Sequence, residues 1–182
     1  MKRLLLALAL TLAVPSFGCA KQVGSSEAVD DVLLAYLSNA RSLHHEADIA
    51  EDGGDLPKAV SALDRLLAKP EPRKAPEIDE VVADTHARIA DLESRLGHFD
   101  VAAKHVDDGL LRATQVSYFR GHLFEVRGLV EERRAKALSG KGDASGAAAA
   151  KDRAMKAYEE AIAIQDEVIK NGTKPGGDGG VQ

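Results

Sequence analysis

The sequence predicts an all-α protein made of antiparallel helical hairpins, and three observations carry that expectation. Hydrophobic residues make up 45% of the 182 but aromatic ones only 4%, with no tryptophan, so the core must come from Ala, Leu, Val and Ile, a palette that favours helix over a sheet sandwich. Apolar residues recur every three or four positions in six stretches, the spacing that lays a stripe along one helix face. No stretch alternates with the period of two that a half-buried strand requires. The length suits one modest domain and excludes a large multidomain enzyme.

The first stripe, Leu33, Tyr36, Leu37, Ala40, Leu43, Ala47 and Ala50, defines a helix whose start Ser25 or Ser26 can cap. Glu51-Asp52-Gly53-Gly54-Asp55 interrupts it, and Pro57 then sits in the first turn of a second helix carrying Ala59, Leu63, Leu66 and Leu67. The proline-rich run from Pro70 to Pro76 cannot continue a helix and is expected to be extended. A third stripe, Ile78, Val82, Thr85, Ile89, Leu92 and Leu96, ends at Gly97, and a fourth follows with Val101, Ala102, His105, Val106 and Leu110. Phe119, Leu123, Val126, Val130 and Ala137 mark a fifth helix, and Ala154, Tyr158, Ala161, Ile162 and Ile169 a sixth. Between these two, the small and polar run Ser139 to Gly146 reads as a flexible break, and the Gly-rich end from Asn171 has too little apolar surface to offset the entropy of ordering.

At the amino end, Lys2 and Arg3 precede the apolar run Leu4 to Val14, too short for a permanent membrane span and suited to an export signal. Pro15 and Ser16 break that run, and Gly18 stands directly before Cys19, the one cysteine of the chain. The stretch Ser16-Phe17-Gly18-Cys19 resembles the lipobox of bacterial lipoproteins; Gly18 and Cys19 match it, while Ser16 and Phe17 depart from the usual leucine and small residue. The resemblance implies lipidation of Cys19, an N-terminus remade at that residue, and acyl chains holding the domain on the bacterial cell envelope. Ordinary signal cleavage, with Cys19 a free thiol, is the alternative. By the same resemblance, the absence of aspartate after Cys19 favours the periplasmic face of the outer membrane. The division expected is 1–18 signal peptide, 19–26 lipidated cysteine and tether, 27–170 helical domain and 171–182 Gly-rich tail. Loss of 1–18 removes two of the 24 cations and none of the 29 acids, so the mature surface is more acidic than the formal charge of −5. Such a surface neither attracts nucleic acid nor binds anionic headgroups, which leaves membrane attachment to the lipid anchor.

The helical region repeats itself. Gly54 laid over Gly97 places Ala47 over Ala90, Ala59 over Ala102 and Leu63 over Val106. In the third pair Gly128 takes the place of Ala47 and Ala90, while Ala154, Tyr158 and Ala161 repeat the second-helix spacing. This arrangement resembles tetratricopeptide repeats over roughly residues 40 to 170, best along Ala90 to Ala102 and Ala154 to Ile162. Its period is longer than that family's, no tryptophan opens a repeat, and Gly109 replaces an expected alanine. A generic bundle of six Ala-rich helices is the alternative. If the repeats stack as in that family, the first helices line a concave face bearing Arg41, His44, Asp48, Glu51, Asp84, Asp91, Arg95, His122, Glu125, Glu132 and Arg133. A face of mixed charge suits reversible binding of an envelope protein or peptide segment, with solvent-facing helix residues the plain alternative.

No chemistry emerges from the side chains. The six histidines show no i, i+4 pairing and read as scattered and solvated, and the lone cysteine removes the usual structural zinc patterns, so neither metal nor cofactor is expected. Asp107-Asp108 and Glu131-Glu132-Arg133-Arg134 splay around a helix as solvated faces, and no nucleophile elbow or phosphate loop occurs. No catalytic residue is assigned. The expected function is a non-enzymatic, membrane-anchored interaction scaffold or adaptor, assisting assembly of an envelope complex; the alternatives are a periplasmic small-ligand or metal-binding protein using the histidines, or a purely structural helical spacer.

Overall fold

A computed structural model describes residues 30–173, and three glycine turns of one geometry direct the chain through them. The helices are α1 (Asp31–Asp52), α2 (Leu56–Leu67), α3 (Pro76–Arg95), α4 (Phe99–Arg112), α5 (Tyr118–Gly140) and α6 (Ala144–Gly172), and no strand occurs among the described residues. In each hairpin the turn contains a glycine in the left-handed region, Gly54 at φ +78°, Gly97 at +85° and Gly142 at +80°, a conformation open to glycine without steric penalty. The N–H after each glycine reaches back into the preceding helix, from Asp55 to the Ala50 carbonyl at 2.8 Å, from His98 to Glu93 at 2.9 Å and from Asp143 to Leu138 at 3.0 Å. This Schellman closure satisfies carbonyls that a helix end leaves without partners. The Asp55 and Asp143 carboxylates then accept from Lys58 N–H and Gly146 N–H, so the residue that closes one helix also caps the next. Connections this short force each pair to be antiparallel.

Several expectations change here. Ser139 to Gly146 is no flexible break: α5 continues to Gly140 and α6 begins at Ala144, because Gly142 supplies the turn and Asp143 the cap. The cap of α1 is Asp30, whose carboxylate accepts from Leu33 N–H at 2.9 Å; Ser25 and Ser26 lie outside the described residues, as do the segment 1–18, Cys19 and 174–182. The run expected to be extended instead bends at Pro72 and Arg73, with Ala75 extended, and Pro76 opens α3, a position where its missing N–H would have had no helical partner. At the far end, α6 continues to Gly172, past the expected boundary at 170.

The shared turn also resets the register of the third repeat. With Gly142 over Gly54 and Gly97, Ala135 and not Gly128 falls on Ala47 and Ala90, and Ala147 falls on Ala59 and Ala102; all six alanines are 5% exposed or less. Gly128 belongs two turns earlier, with Ala40 and Ala83. At these positions side chains too small to hold helices apart allow close backbone approach.

The first helices pack on one another, α1 on α3 and α3 on α5, whereas the second helices do not meet. Each second helix instead packs against its own partner, and α2 and α4 also contact the first helix of the following hairpin. The first helices therefore form one layer, and the side they share is the inner face. Larger side chains fill the space beside the alanine contacts: Leu66, Ile78 and Val82 in one cluster, Leu63, Ile89 and Leu92 in a second, Val106, Leu123 and Val130 in a third. Each fully buried leucine or isoleucine contributes about 1.5–3 kcal/mol.

Two helical glycines mark the tightest approaches between helices. A β-carbon on Gly109 would meet Leu123 Cδ2 at 2.6 Å, and one on Gly128 would run into the Tyr158 ring. Tyr158 cannot swing aside freely, because its hydroxyl donates to Glu132 at 3.0 Å. Gly109 is therefore glycine, where the repeat resemblance implies alanine, since a Leu123 methyl occupies the space. Gly128→Ala is expected to lower stability by about 1–3 kcal/mol through overpacking. Gly140→Ala, with nothing within 4 Å of its added carbon, is expected to be neutral or to gain up to about 1 kcal/mol of helix propensity. Urea midpoints of the two variants check the contrast, and equal midpoints would show that the α5–α6 contact is misplaced.

Candidate functional site

The inner face of the first helices carries charges at helical spacing, with Asp48 and Glu51 on α1, Asp84, Arg88, Asp91 and Arg95 on α3, and Arg133 on α5. Towards the carboxyl ends of α1 and α3 these side chains form a ladder. Arg88 pairs with Asp48, reaches Glu51 at 3.3 Å and donates to the His44 carbonyl at 3.2 Å. Arg95 pairs with Glu51 and lies 3.8 Å from Asp91. Arg133 continues the chain to α5, donating to Asp91 Oδ1 at 2.7 Å and to Ser94 Oγ. The Arg95 hydrogen bond, with help from Arg88, holds the Glu51 carboxyl below its ordinary pKa despite partial burial. Isolated surface pairs contribute about 0–1 kcal/mol, but guanidinium groups bonded to several acceptors in a half-buried network are the stronger kind.

The residues expected on this face divide accordingly. Asp48, Glu51, Asp91, Arg95 and Arg133 are consumed by the ladder, so a partner meets them already paired. Glu132 accepts from Tyr158, whose hydroxyl is pushed up to about 12 by burial and by that bond. His122 and Glu125 pair with each other at 3.3 Å, and the His122 ring stacks on Tyr118. Arg88, absent from the expected set, sits four residues after Asp84 and seven before Arg95, on the same face; helical spacing alone would have included it.

Arg41, His44 and Asp84 come together elsewhere, in a cleft of about 390 Å³ that α1 and α3 form with the start of α5. Its floor is Leu37, Ala40, Val81 and Phe119, and Glu77 and Glu80 join Asp84 at its edge. His44 lies at the boundary between cleft and ladder. Thr85 donates its hydroxyl proton to the Val81 carbonyl at 2.7 Å, so the 2.9 Å contact is a bond donated by His44 Nε2 to Thr85 Oγ. Burial holds the His44 pKa below its ordinary value.

On the outer side, Glu131 is 8% exposed, not solvated as expected, because Arg153 of α6 crosses over and donates to it at 2.9 Å. Nor are all the histidines scattered. His86 of α3 and His105 of α4 meet with Nδ1 atoms 3.0 Å apart, which requires one ring to donate and the other to accept. Burial first, then the neighbouring His105, lowers His86 to about 4, while Asp108 opposes the shift and Arg112 and Lys104 add to it. Burial also lowers His105, against Asp64, Asp108 and Glu93. Among the described residues no group of three or more His, Cys, Asp or Glu is arranged to hold a metal ion, and no helix is long and apolar enough to cross a membrane.

No protein-family model matches the chain, and neither a curated protein nor a solved structure matches it.

Arg88→Met leaves the Asp48 carboxylate without its guanidinium and Glu51 held by Arg95 alone, and is expected to lower stability by about 1.5–3 kcal/mol. Arg88→Lys is expected to restore only part of that, since one ammonium cannot span the three acceptors; full rescue in chemical denaturation would reduce the ladder to a point-charge effect. The histidine pair gives a separate pH signature. Because folded His86 stays neutral down to about 4 while an unfolded histidine protonates near 6.5, the unfolded chain binds more protons in that window. Stability therefore falls as pH drops from 6.5 towards 4 and this contribution flattens below it. His86→Gln is expected to flatten the melting temperature across the same window, and an unchanged slope would exclude the pair as its source.

Proposed function

We propose that the chain is a non-enzymatic lipoprotein of the bacterial cell envelope, anchored through Cys19 and using a tetratricopeptide-like stack of helical hairpins as an adaptor for another envelope protein. The observation that carries this reading is the division of the inner face: an ion-pair ladder joins α1, α3 and α5, and beside it a cleft remains open with Arg41, His44 and Asp84 on its walls. A preformed surface of that kind receives a peptide segment without the entropic penalty of ordering itself. The repeat reading is supported by three turns with the same backbone bonds at corresponding positions. Membrane attachment rests on the lipobox resemblance of Ser16 to Cys19, and the proposed location is the periplasmic face of the outer membrane. The acidic balance of the chain disfavours nucleic acid as a partner.

A second reading, a metal-binding envelope protein, has the His86–His105 pair in its favour. Calorimetry with zinc and with copper separates the two: heat that disappears in His105→Ala would support it, and no heat would remove it.

The anchor is tested by metabolic labelling with a fatty-acid analogue. The wild-type chain is expected to carry label and sediment with membranes, whereas Cys19→Ser is expected to carry none and to be released on cell fractionation. Label retained in Cys19→Ser would overturn the assignment. For the adaptor, affinity recovery from gently solubilised membranes is expected to yield a defined partner that cross-links to the α1–α3 face; cross-links confined to other faces would count against it.

A further inference from the structure

We propose that the cleft between α1, α3 and Phe119 receives a lysine or arginine side chain of the partner segment. The inference rests on the adaptor reading and adds to it the chemistry of what is recognised. In the neighbouring ladder each carboxylate already has a guanidinium partner. In the cleft the opposite holds: Glu77, Glu80 and Asp84 form no ion pair with any described residue, and neither does Arg41. Three carboxylates therefore face one cation, which leaves an uncompensated negative field over a concave surface.

Size and lining narrow the ligand. A space of about 390 Å³ exceeds a simple ion and accommodates a side chain with its flanking backbone. Its floor of Leu37, Ala40, Val81 and Phe119 is apolar, which suits the methylene stem that lysine and arginine bury while keeping their charge near water. Phe119 supplies a ring against which a cation is attracted, and carboxylates at the edge accept its N–H groups. An acidic side chain would meet the same carboxylates as repulsion, and an uncharged one would gain from the floor alone. The cavity that α4, α5 and α6 line has a comparable aromatic, Phe124, but its charges balance: Arg127 pairs with Asp107 and Arg153 with Glu131, and the two left over, Lys156 and Glu160, are of opposite sign.

The test uses the full chain, extracted from membranes in detergent micelles and labelled at leucine and valine methyls, so that Leu37 and Val81 report from the cleft floor. The probes are the Nα-acetyl amides of arginine, lysine, norleucine and aspartate. Saturable shifts at both methyls are expected with the two cationic amides, at least about five-fold weaker binding with norleucine amide, and no response to aspartate amide. In Glu80→Gln/Asp84→Asn, with helical content unchanged, the cationic amides are expected to bind no better than norleucine amide. Equal responses to all four probes, or shifts that avoid Leu37 and Val81, would overturn the proposal. The two readings fail separately: a membrane partner recovered undiminished by the double variant overturns the cleft while the adaptor stands. Amide binding in a chain that recovers no partner upholds the cleft while the adaptor falls.

Discussion

Close apposition of helix backbones at alanine and glycine positions is the constraint from which the rest of this structure follows. A chain with few aromatics has little bulk with which to fill wide gaps between helices, so stability has to come from bringing them near one another. Ala40, Ala83 and Gly128 hold one level of the stack, and Ala47, Ala90 and Ala135 hold the next, two turns on. At Gly128 even a methyl is too large, because the hairpin of α5 and α6 closes over the Tyr158 ring. Leucines and isoleucines then occupy the space that the small residues leave on either side.

Proximity of the first helices has an electrostatic consequence. Helices this close bring their inner-face charges within reach, and arginines one hairpin along meet carboxylates of the hairpin before. Arg88 and Arg95 answer Asp48 and Glu51, and Arg133 answers Asp91. The ladder is thus a product of the repeat, since each step joins equivalent faces of consecutive hairpins. It also explains why net negative charge does not split the stack: along the carboxyl-terminal halves of α1 and α3 the acids that face a neighbouring first helix are already neutralised.

The helices themselves were legible because burial imposes the three-to-four spacing directly on the sequence, and the turns at Gly54 and Gly97 stood out against strongly apolar flanks. The turn at Gly142 was not, because Gly140, Gly142 and Gly146 crowd together with serines and composition alone does not say which glycine adopts positive φ. That one ambiguity shifted the third repeat and put Gly128 where Ala135 belongs. Much of the inner face was legible from spacing; which of its charges are free was not, since pairing depends on how far α3 slides along α1. His86 and His105 lie on different helices, and only the packing of α3 on α4 brings their rings together.

The ladder and the cleft occupy different ends of the same helices, and that division carries the functional argument. Where α1 and α3 run towards their carboxyl ends, Asp48 to Glu51 lies against Arg88 to Arg95 and each carboxylate finds a cation. Towards the start of α3, below the His44–Thr85 bond, the pattern stops: Glu77, Glu80 and Asp84 follow one another at helical spacing with no arginine of α5 placed to meet them. Phe119 stands there instead, at the beginning of α5, and an aromatic ring leaves the carboxylates unanswered. Substituting a cation for that phenylalanine would extend the ladder by one step and close the face. The chain keeps a gap in an otherwise neutralised surface, and a gap of that charge and depth is complementary to a basic side chain carried by another molecule.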